Sequence, residues 1–402
     1  MNLSSEARPA LPPPVQAVLN QLHGSGYDAY VVGGCLRDCL LGRMPHDWDI
    51  ATNARPEAVA ALFAHVAETG LKHGTLTVIW DRMPMEVTTF RVDGRYSDLR
   101  RPDSVTYTDD LARDLARRDF TVNAMAYRPD RPLVDLYGGR DDLAAGIIRC
   151  VGDPRARFGE DALRILRAFR FAMRLGFAIE EKTQAAMFAL CGQLKHIAAE
   201  RVTAELMDAL GGRCDADLIA IHRPLFAAIW EPWGRVAESD WIAMSKRAAR
   251  ASDAVVRLAL LCGGEAPGCL RLDNKTARRL RLLLARRDCP VPVSKPALLF
   301  VLSEWGEQGL RDRLAYMAAA DGASDAGAAL DALLAENPCF ALKHLAVDGG
   351  GLMARGLPSG PVLGKVLQTL LETVMRGEIA NERDRLEEEA VRVYNRMENR
   401  KG

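Results

Sequence analysis

The spacing of apolar residues changes once along this chain, and that change limits what it can fold into. Before about residue 145, short apolar runs at 28–32, 76–80 and 85–90 have the length and content of β-strands. From residue 157 onward, apolar positions recur with the 3.6-residue period of helices. Residues 161–174 show this most clearly, being apolar at 162, 165, 166, 169, 172 and 173. Further helices are expected over about 181–212, 215–262, 275–287, 296–320, 324–335 and 361–399. The Pro- and Gly-rich segments near 263–268, 288–295 and 349–361 are joints between them. A mixed α/β domain of about 145 residues therefore precedes an all-helical remainder. At 402 residues the chain exceeds one ordinary core, and two to four domains are expected.

Within the first domain, a helix at 15–22 is followed by a turn at Gly24-Ser25-Gly26 and a strand at 28–32. A helix at 36–41 and a strand at 47–50 come next, and Pro56 then opens a helix at 57–64. Pro84 is expected in the turn between the strands at 76–80 and 85–90. Residues 94–110 are charged and aperiodic, the pattern of a loop.

Bulk properties exclude several classes. No apolar run approaches the ~18 residues of a membrane span. Residues 1–16 lack the basic start and apolar stretch of a signal peptide. Nine cysteines without a Cys-x-x-Cys pair argue against a disulfide framework and a zinc site, and favour a reducing, cytoplasmic setting. The seven histidines are dispersed. The 53 basic and 53 acidic residues balance, so any nucleic-acid contact must be a local groove rather than an overall basic coat.

Chemistry concentrates between Tyr30 and Ile50. In an extended segment Asp47 and Asp49 project from one face, and Trp48 from the other. Two carboxylates one pleat apart suit a hard divalent cation such as Mg²⁺ working on phosphates. Gly33 and Gly34 follow the apolar run Ala29–Val32 and let backbone N–H groups approach phosphate oxygens. Arg37 can reach a triphosphate or pair with Asp38 or Asp47. Glu86, on the 85–90 strand, is the leading third carboxylate. In Arg117-Arg118-Asp119, the arginines either keep Asp119 ionised and able to accept from a ribose hydroxyl or form a structural Arg–Asp pair at a domain edge. Asp161 and Arg164, three residues apart on an expected helix, form either a plain ion pair or a reader of base edges. A carboxylate that only accepts and a guanidinium that only donates would favour C and A over U and G. Arg167 and Arg170 would extend the positive surface. The basic run 271–287, with Lys275, Arg278 and Arg281, could meet an RNA backbone or lie solvated.

In order along the chain stand Gly33-Gly34-x-x-Arg37-Asp38, Asp47-x-Asp49, Lys72-His73-Gly74-Thr75, Glu86-Val87-Thr88-Thr89-Phe90-Arg91, Arg117-Arg118-Asp119-Phe120-Thr121 and Glu160-Asp161-x-x-Arg164. This set resembles the class II tRNA nucleotidyltransferases and the bacterial poly(A) polymerases. The resemblance implies a polymerase-β-like nucleotidyltransferase head (1–145), then an all-α neck (146–212), body (213–335) and tail (336–402). It implies Asp47 and Asp49 as Mg²⁺ ligands, with Glu86 as an active-site carboxylate. Gly33, Gly34, Arg37, Arg118, Asp119, Asp161, Arg164, Arg167 and Arg170 would lie at the nucleotide. The implied reaction is template-independent addition of C, C and A to tRNA from CTP and ATP, releasing pyrophosphate by a two-metal mechanism. Lys72-His73-Gly74-Thr75 and the segment 345–364 look like the CCA enzymes. Poly(A) synthesis and partial C or A addition are the alternatives. A nucleotide-sugar glycosyltransferase would leave Arg118, Asp119, Asp161 and Arg164 without a role.

Overall fold

The computed structural model describes residues 9–70, 74–94, 104–322 and 326–399. Lys72, His73 and residues 95–103 of the expected loop lie outside them. The chain divides into two compact units, Met1–Ile242 with Pro267–Leu272, and Ala243–Ala266 with Asp273–Gly402.

The first unit opens with α1 (Pro13–Gly24), β1 (Ala29–Val32), α2 (Gly33–Leu40), β2 (Asp49–Thr52) and α3 (Pro56–Leu62). Strands β3 (Val66–Gly70), β4 (Thr75–Trp80) and β5 (Met83–Thr89) follow, then a small pair, β6 (Arg91–Asp93) and β7 (Val105–Tyr107). After α4 (Leu111–Ala116) and a 3₁₀ turn at Thr121–Asn123 come β8 (Met125–Tyr127) and β9 (Val134–Asp135). The main sheet is seven-stranded, in the order β3-β4-β5-β2-β1-β8-β9. Strand β1 is antiparallel to β2 and β8, whereas β2 and β5 run parallel. All four residues of β1 are buried. A strand covered on both faces reads as a continuous apolar run, as this one does.

Several boundaries differ from the sequence expectation for physical reasons. Asp47 is not in a strand but in the bend before β2. Neighbouring strands pair with β2 only from Asp49 and Ile50 onward. The alternation still holds, with Trp48 buried and Asp47 exposed. Helix α2 begins at Gly33 rather than residue 36, because Gly33 takes φ +74° and turns the chain straight from strand into helix. The β4–β5 turn is made by Asp81 and Arg82, both at positive φ, and Pro84 lies within β5. The Glu86 N–H points toward β2, donating to Trp48 O at 2.9 Å. Pro84, two residues earlier, thus turns its missing donor to the same side, beyond the end of β2. Strand β3 was not expected, since its five residues carry no alternation of apolar side chains. The 94–110 segment is not loop throughout: Val105–Tyr107 pair with β6.

The unit continues with α5 (Gly139–Ala145), the short strands β10 (Ile147–Ile148) and β11 (Ala178–Ile179), and helices α6 (Pro154–Glu160), α7 (Leu163–Leu175), α8 (Glu181–Leu190) and α9 (Ala199–Gly211). Helix α7 buries Ile165, Leu166, Phe169, Ala172 and Met173 and packs against α9. Residues 161–174 do not form one helix from their start. Asp161 has φ −138° and ψ 103°, and this extended residue separates α6 from α7.

The described part of the second unit is helical. One apolar core runs from Leu298 to Val393, joining the long helix Lys295–Asp321 to Pro361–Met375 and Arg383–Glu398. The expected helix 361–399 is therefore two, parted where Gly377 takes φ +77°. Gly306 (φ 72°, ψ 165°) interrupts Lys295–Asp321.

Candidate active site

A cavity of about 580 Å³ opens in the first unit where the end of β1, the start of β2 and helix α7 converge. Gly33 sits at its floor. A Cβ there would lie 3.1 Å from Asp49 Oδ2 and 3.3 Å from Arg118 Nη1, so both the positive φ and the space demand glycine. A Cβ on Gly34 would meet only the Arg37 guanidinium, at an ordinary 3.5 Å.

Asp49 pairs in parallel register with Glu86, which places both carboxylates on one face of the sheet. Burial, the Glu86 charge and the Asp47 charge push the Asp49 carboxyl up to about 6, against the opposing pull of Arg118. Below it, the buried Cys35 thiol accepts from Asp49 N at 3.4 Å. Burial pushes that thiol up to about 12, so it stays neutral. Crowded, like-charged oxygen donors of this kind fit a divalent cation. Among the described residues no three carboxylate, His or Cys side chains form a ready-made cage. Mg²⁺ does not need one, since it binds through one or two carboxylates and completes its shell with water and substrate phosphate.

Much of the remaining lining is cationic. Arg37 is buried; its Nε and Nη2 donate to Asp38 (2.9 and 2.8 Å) and its Nη1 to Asn123 Oδ1 (2.8 Å). The expected Arg37–Asp38 pair and the pocket position thus coexist. Arg117 and Arg118 both hold the fully buried Asp114. Burial opposes ionisation of Asp114, but the two guanidiniums outweigh it and its pKa is lowered.

Asp119 is the most tightly held carboxylate in the pocket. Its Oδ1 accepts from Phe120 N (2.8 Å) and Asn123 Nδ2 (3.2 Å), and its Oδ2 from Arg167 Nε and Nη2 (2.9 and 2.8 Å). Burial would raise its pKa, yet Arg167, Asn123 and Arg164 bring it down to about 2. A carboxylate has about four acceptor positions, and here all are occupied. A ribose hydroxyl could reach Asp119 only by displacing one of these donors.

Arg164, Arg167 and Arg170 follow one another at three-residue spacing along α7 and all line the cavity. Arg164 pairs with Glu160 at 2.6 Å and donates to Arg117 O at 3.1 Å. Asp161 instead accepts from Leu163 N (3.0 Å), at the first residue of α7, and faces Arg201 at 3.4 Å. The expected single helical face for Asp161 and Arg164 is thus replaced by a helix break, at which each residue takes a different partner. Arg170 bonds Glu205 and Asp208.

The cavity gathers every expected site residue except Glu86 and Asp161, which stand outside its lining. It adds Arg117, Asn123 and Phe171. Asn123 could have been suspected as a polar residue four positions after Asp119. Phe171 could have been suspected too, because it falls off the apolar stripe of α7 and onto the face that carries Arg164 and Arg167. In the second unit, Lys275 and Arg278 line a separate cavity of about 470 Å³ beside Trp305, and Arg281 is not part of its lining. Asp348 caps the helix Gly349–Ala354 through Gly351 N (2.8 Å).

Glycine-turned phosphate access, paired carboxylates on a mixed sheet and an arginine wall define a nucleotidyltransferase head, and residues 29–149 match the Poly A polymerase head domain. Residues 176–212 match the "Probable RNA and SrmB- binding site of polymerase A", and residues 304–390 match a tRNA nucleotidyltransferase domain 2. The CCA-adding enzyme of Limosilactobacillus fermentum is 35% identical over 384 residues, covering 94% of this chain and 96% of that protein. That of a Geobacillus species is 35% identical over 382 residues, covering 92% and 94%. The crystal structure of the Bacillus stearothermophilus CCA-adding enzyme in complex with CTP superposes with a TM-score of 0.79 at 34% identity, covering 98% of this chain and all of that one. The chain belongs to the CCA-adding enzyme family of tRNA nucleotidyltransferases. A Thermotoga maritima CCA-adding enzyme complexed with tRNA shares the fold at 21% identity and a TM-score of 0.66, covering 95% and 96%.

Proposed function

We propose that this protein adds C, C and then A to the 3′ end of tRNA from CTP and ATP without a nucleic-acid template, releasing pyrophosphate. The observation that carries the reading is the cavity that faces Asp47 and Asp49 with Arg37, Arg118, Arg164, Arg167 and Arg170, in a chain related over nearly its whole length to CCA-adding enzymes. The tRNA 3′ hydroxyl attacks the α-phosphate in line with departing pyrophosphate. Arg37, Arg118, Arg167 and Arg170 balance the triphosphate charge. Gly33 allows the backbone to approach it. Asp119 sets the ribose position once Arg167 or Asn123 yields an acceptor site. Asp161, outside the cavity lining, turns from Leu163 N and Arg201 to accept from the exocyclic amine of C or A, and Arg164 donates to the base, so side chains take the place of a template.

Asp47 and Asp49, with Glu86 beside them, would hold Mg²⁺, which supplies charge neutralisation and a more acidic attacking hydroxyl. Residues 1–145 act as the catalytic head, 146–212 as the base-reading neck, 213–335 as the body and 336–402 as the tRNA-binding tail. We place the protein in the cytoplasm: its nine cysteines are all free, and no helix among the described residues is long and apolar enough to cross a membrane.

The test supplies tRNAs ending before CCA, after C and after CC, with CTP, ATP or both. Full CCA addition gives products stopping at one length from all three. A ladder of A, or arrest after C, would replace this reading with poly(A) synthesis or partial addition.

A further inference from the structure

Three guanidiniums of the nucleotide pocket surround one aromatic ring. The Cζ atoms of Arg37, Arg167 and Arg170 lie 5.1, 5.3 and 4.4 Å from the centroid of Phe171. Phe171 lines the same cavity and is only 6% exposed. Its ring is braced edge-on by the buried Phe120, with centroids 5.7 Å apart at 82°. Arg37 comes from the helix after β1 and the other two from α7, so one side chain ties together cations from two elements.

The N–H edges of these arginines are occupied by protein acceptors. Arg37 bonds Asp38 and Asn123, Arg167 bonds Asp119 and Glu205, and Arg170 bonds Glu205 and Asp208. A triphosphate must take over some of those edges. A guanidinium donates hydrogen bonds around its rim, whereas an aromatic ring attracts the cation through the quadrupole of the π-face. The ring therefore does not compete with phosphate for donors. We propose that Phe171 is a positioning residue for nucleotide binding. It retains Arg37, Arg167 and Arg170 at the cavity wall while their N–H groups exchange protein carboxylates for phosphate oxygens. Without it, each arginine freed from its carboxylate regains rotamer freedom, and the nucleotide has to order all three.

This inference rests on the nucleotidyl-transfer reading, so wild-type C and A addition is measured first and tests that reading alone. In Phe171→Leu, the KM for CTP and for ATP rises about tenfold. The KM for tRNA and kcat stay within about twofold, and Phe171→Tyr restores the nucleotide KM. Unchanged nucleotide KM in a folded Phe171→Leu protein would overturn the proposal, as would equal losses for nucleotide and tRNA. Should Phe171→Leu fail to fold, 4-fluoro-, 3,5-difluoro- and 3,4,5-trifluorophenylalanine at position 171 keep the ring's shape while draining its π-electron density. CTP affinity measured by calorimetry without tRNA then falls stepwise with each added fluorine. A flat series leaves Phe171 as packing only and removes the proposal.

Discussion

At the scale of single residues, the two glycines that the sequence treats alike are not alike in the structure. Gly33 combines φ +74° with two polar atoms at 3.1 and 3.3 Å from any added Cβ, whereas Gly34 has ordinary space. Gly33→Ala should cost about 1–2 kcal/mol in stability and, by displacing Asp49 and Arg118, lower activity on the order of a hundredfold. Gly34→Ala should remain within a few-fold of wild type; denaturant melts and incorporation rates check both. The carboxylates give a pH signature of opposite signs. Asp49, raised to about 6 in the folded protein, makes the native state hold a proton more tightly than the unfolded chain. Its contribution to stability is therefore lost as pH rises from about 4, the unfolded carboxylate value, through 6. Asp119, lowered to about 2, contributes stability above about pH 4 that is lost as pH falls toward 2. Melting temperatures in EDTA should decline less between pH 4 and 6 in Asp49→Asn than in wild type. A parallel decline would place the raised group elsewhere. The aspartates were legible in the sequence because carboxylate spacing and chemistry are local. The four donors on Asp119 were not, because Arg167 reaches it from 48 residues away.

At the scale of elements, period and length were readable, and ends were not. Strand β1 and helix α7 announce themselves through apolar content, whereas β3 and β7 are too short or too polar to do so. The Pro84 position failed for a different reason. A proline was read as a turn former, when its missing N–H only needed a side of β5 with no partner. The α6–α7 break matters most for function. As an i, i+3 pair, Asp161 and Arg164 would interact by only tenths of a kcal/mol. Through its hydrogen bond from Leu163 N at the start of α7, Asp161 should contribute about 1 kcal/mol while holding Arg201. Asp161→Ala should lower stability by that amount and relax choice among the four nucleotides. Incorporation assays with single nucleotides give the answer, and unchanged C/A preference would reject the side-chain template.

At the scale of the whole molecule, the ordered motifs indicated a mixed head and a helical remainder, and the structure has both. Less visible was that the C-terminal core, from Leu298 to Val393, spans the position where a body-to-tail boundary was expected. Apolar helix faces look the same in sequence whichever neighbour they meet. Removing residues after about 330 would bare that core, so surface charge is the cleaner probe of tRNA binding in this unit. Lys275 and Arg278 are exposed and form no ion pair among the described residues. Lys275→Glu with Arg278→Glu should weaken tRNA affinity roughly tenfold at low salt, with a shallower dependence on salt concentration. Melting temperature and CTP affinity should stay unchanged; equal tRNA affinity would mark these residues as a solvated face.

The carboxylates that hold Arg37, Arg167 and Arg170 give the pocket the character of an ion exchanger. Asp38, Asp119, Glu205 and Asp208 serve as resident counter-ions, so under the proposed function a triphosphate would bind by replacing some of them rather than by meeting bare cations. Its affinity is then a difference between two sets of ion pairs, smaller than either. On that reading, departure of pyrophosphate would let the resident set close again over the arginines and reset the site for the next nucleotide in the series.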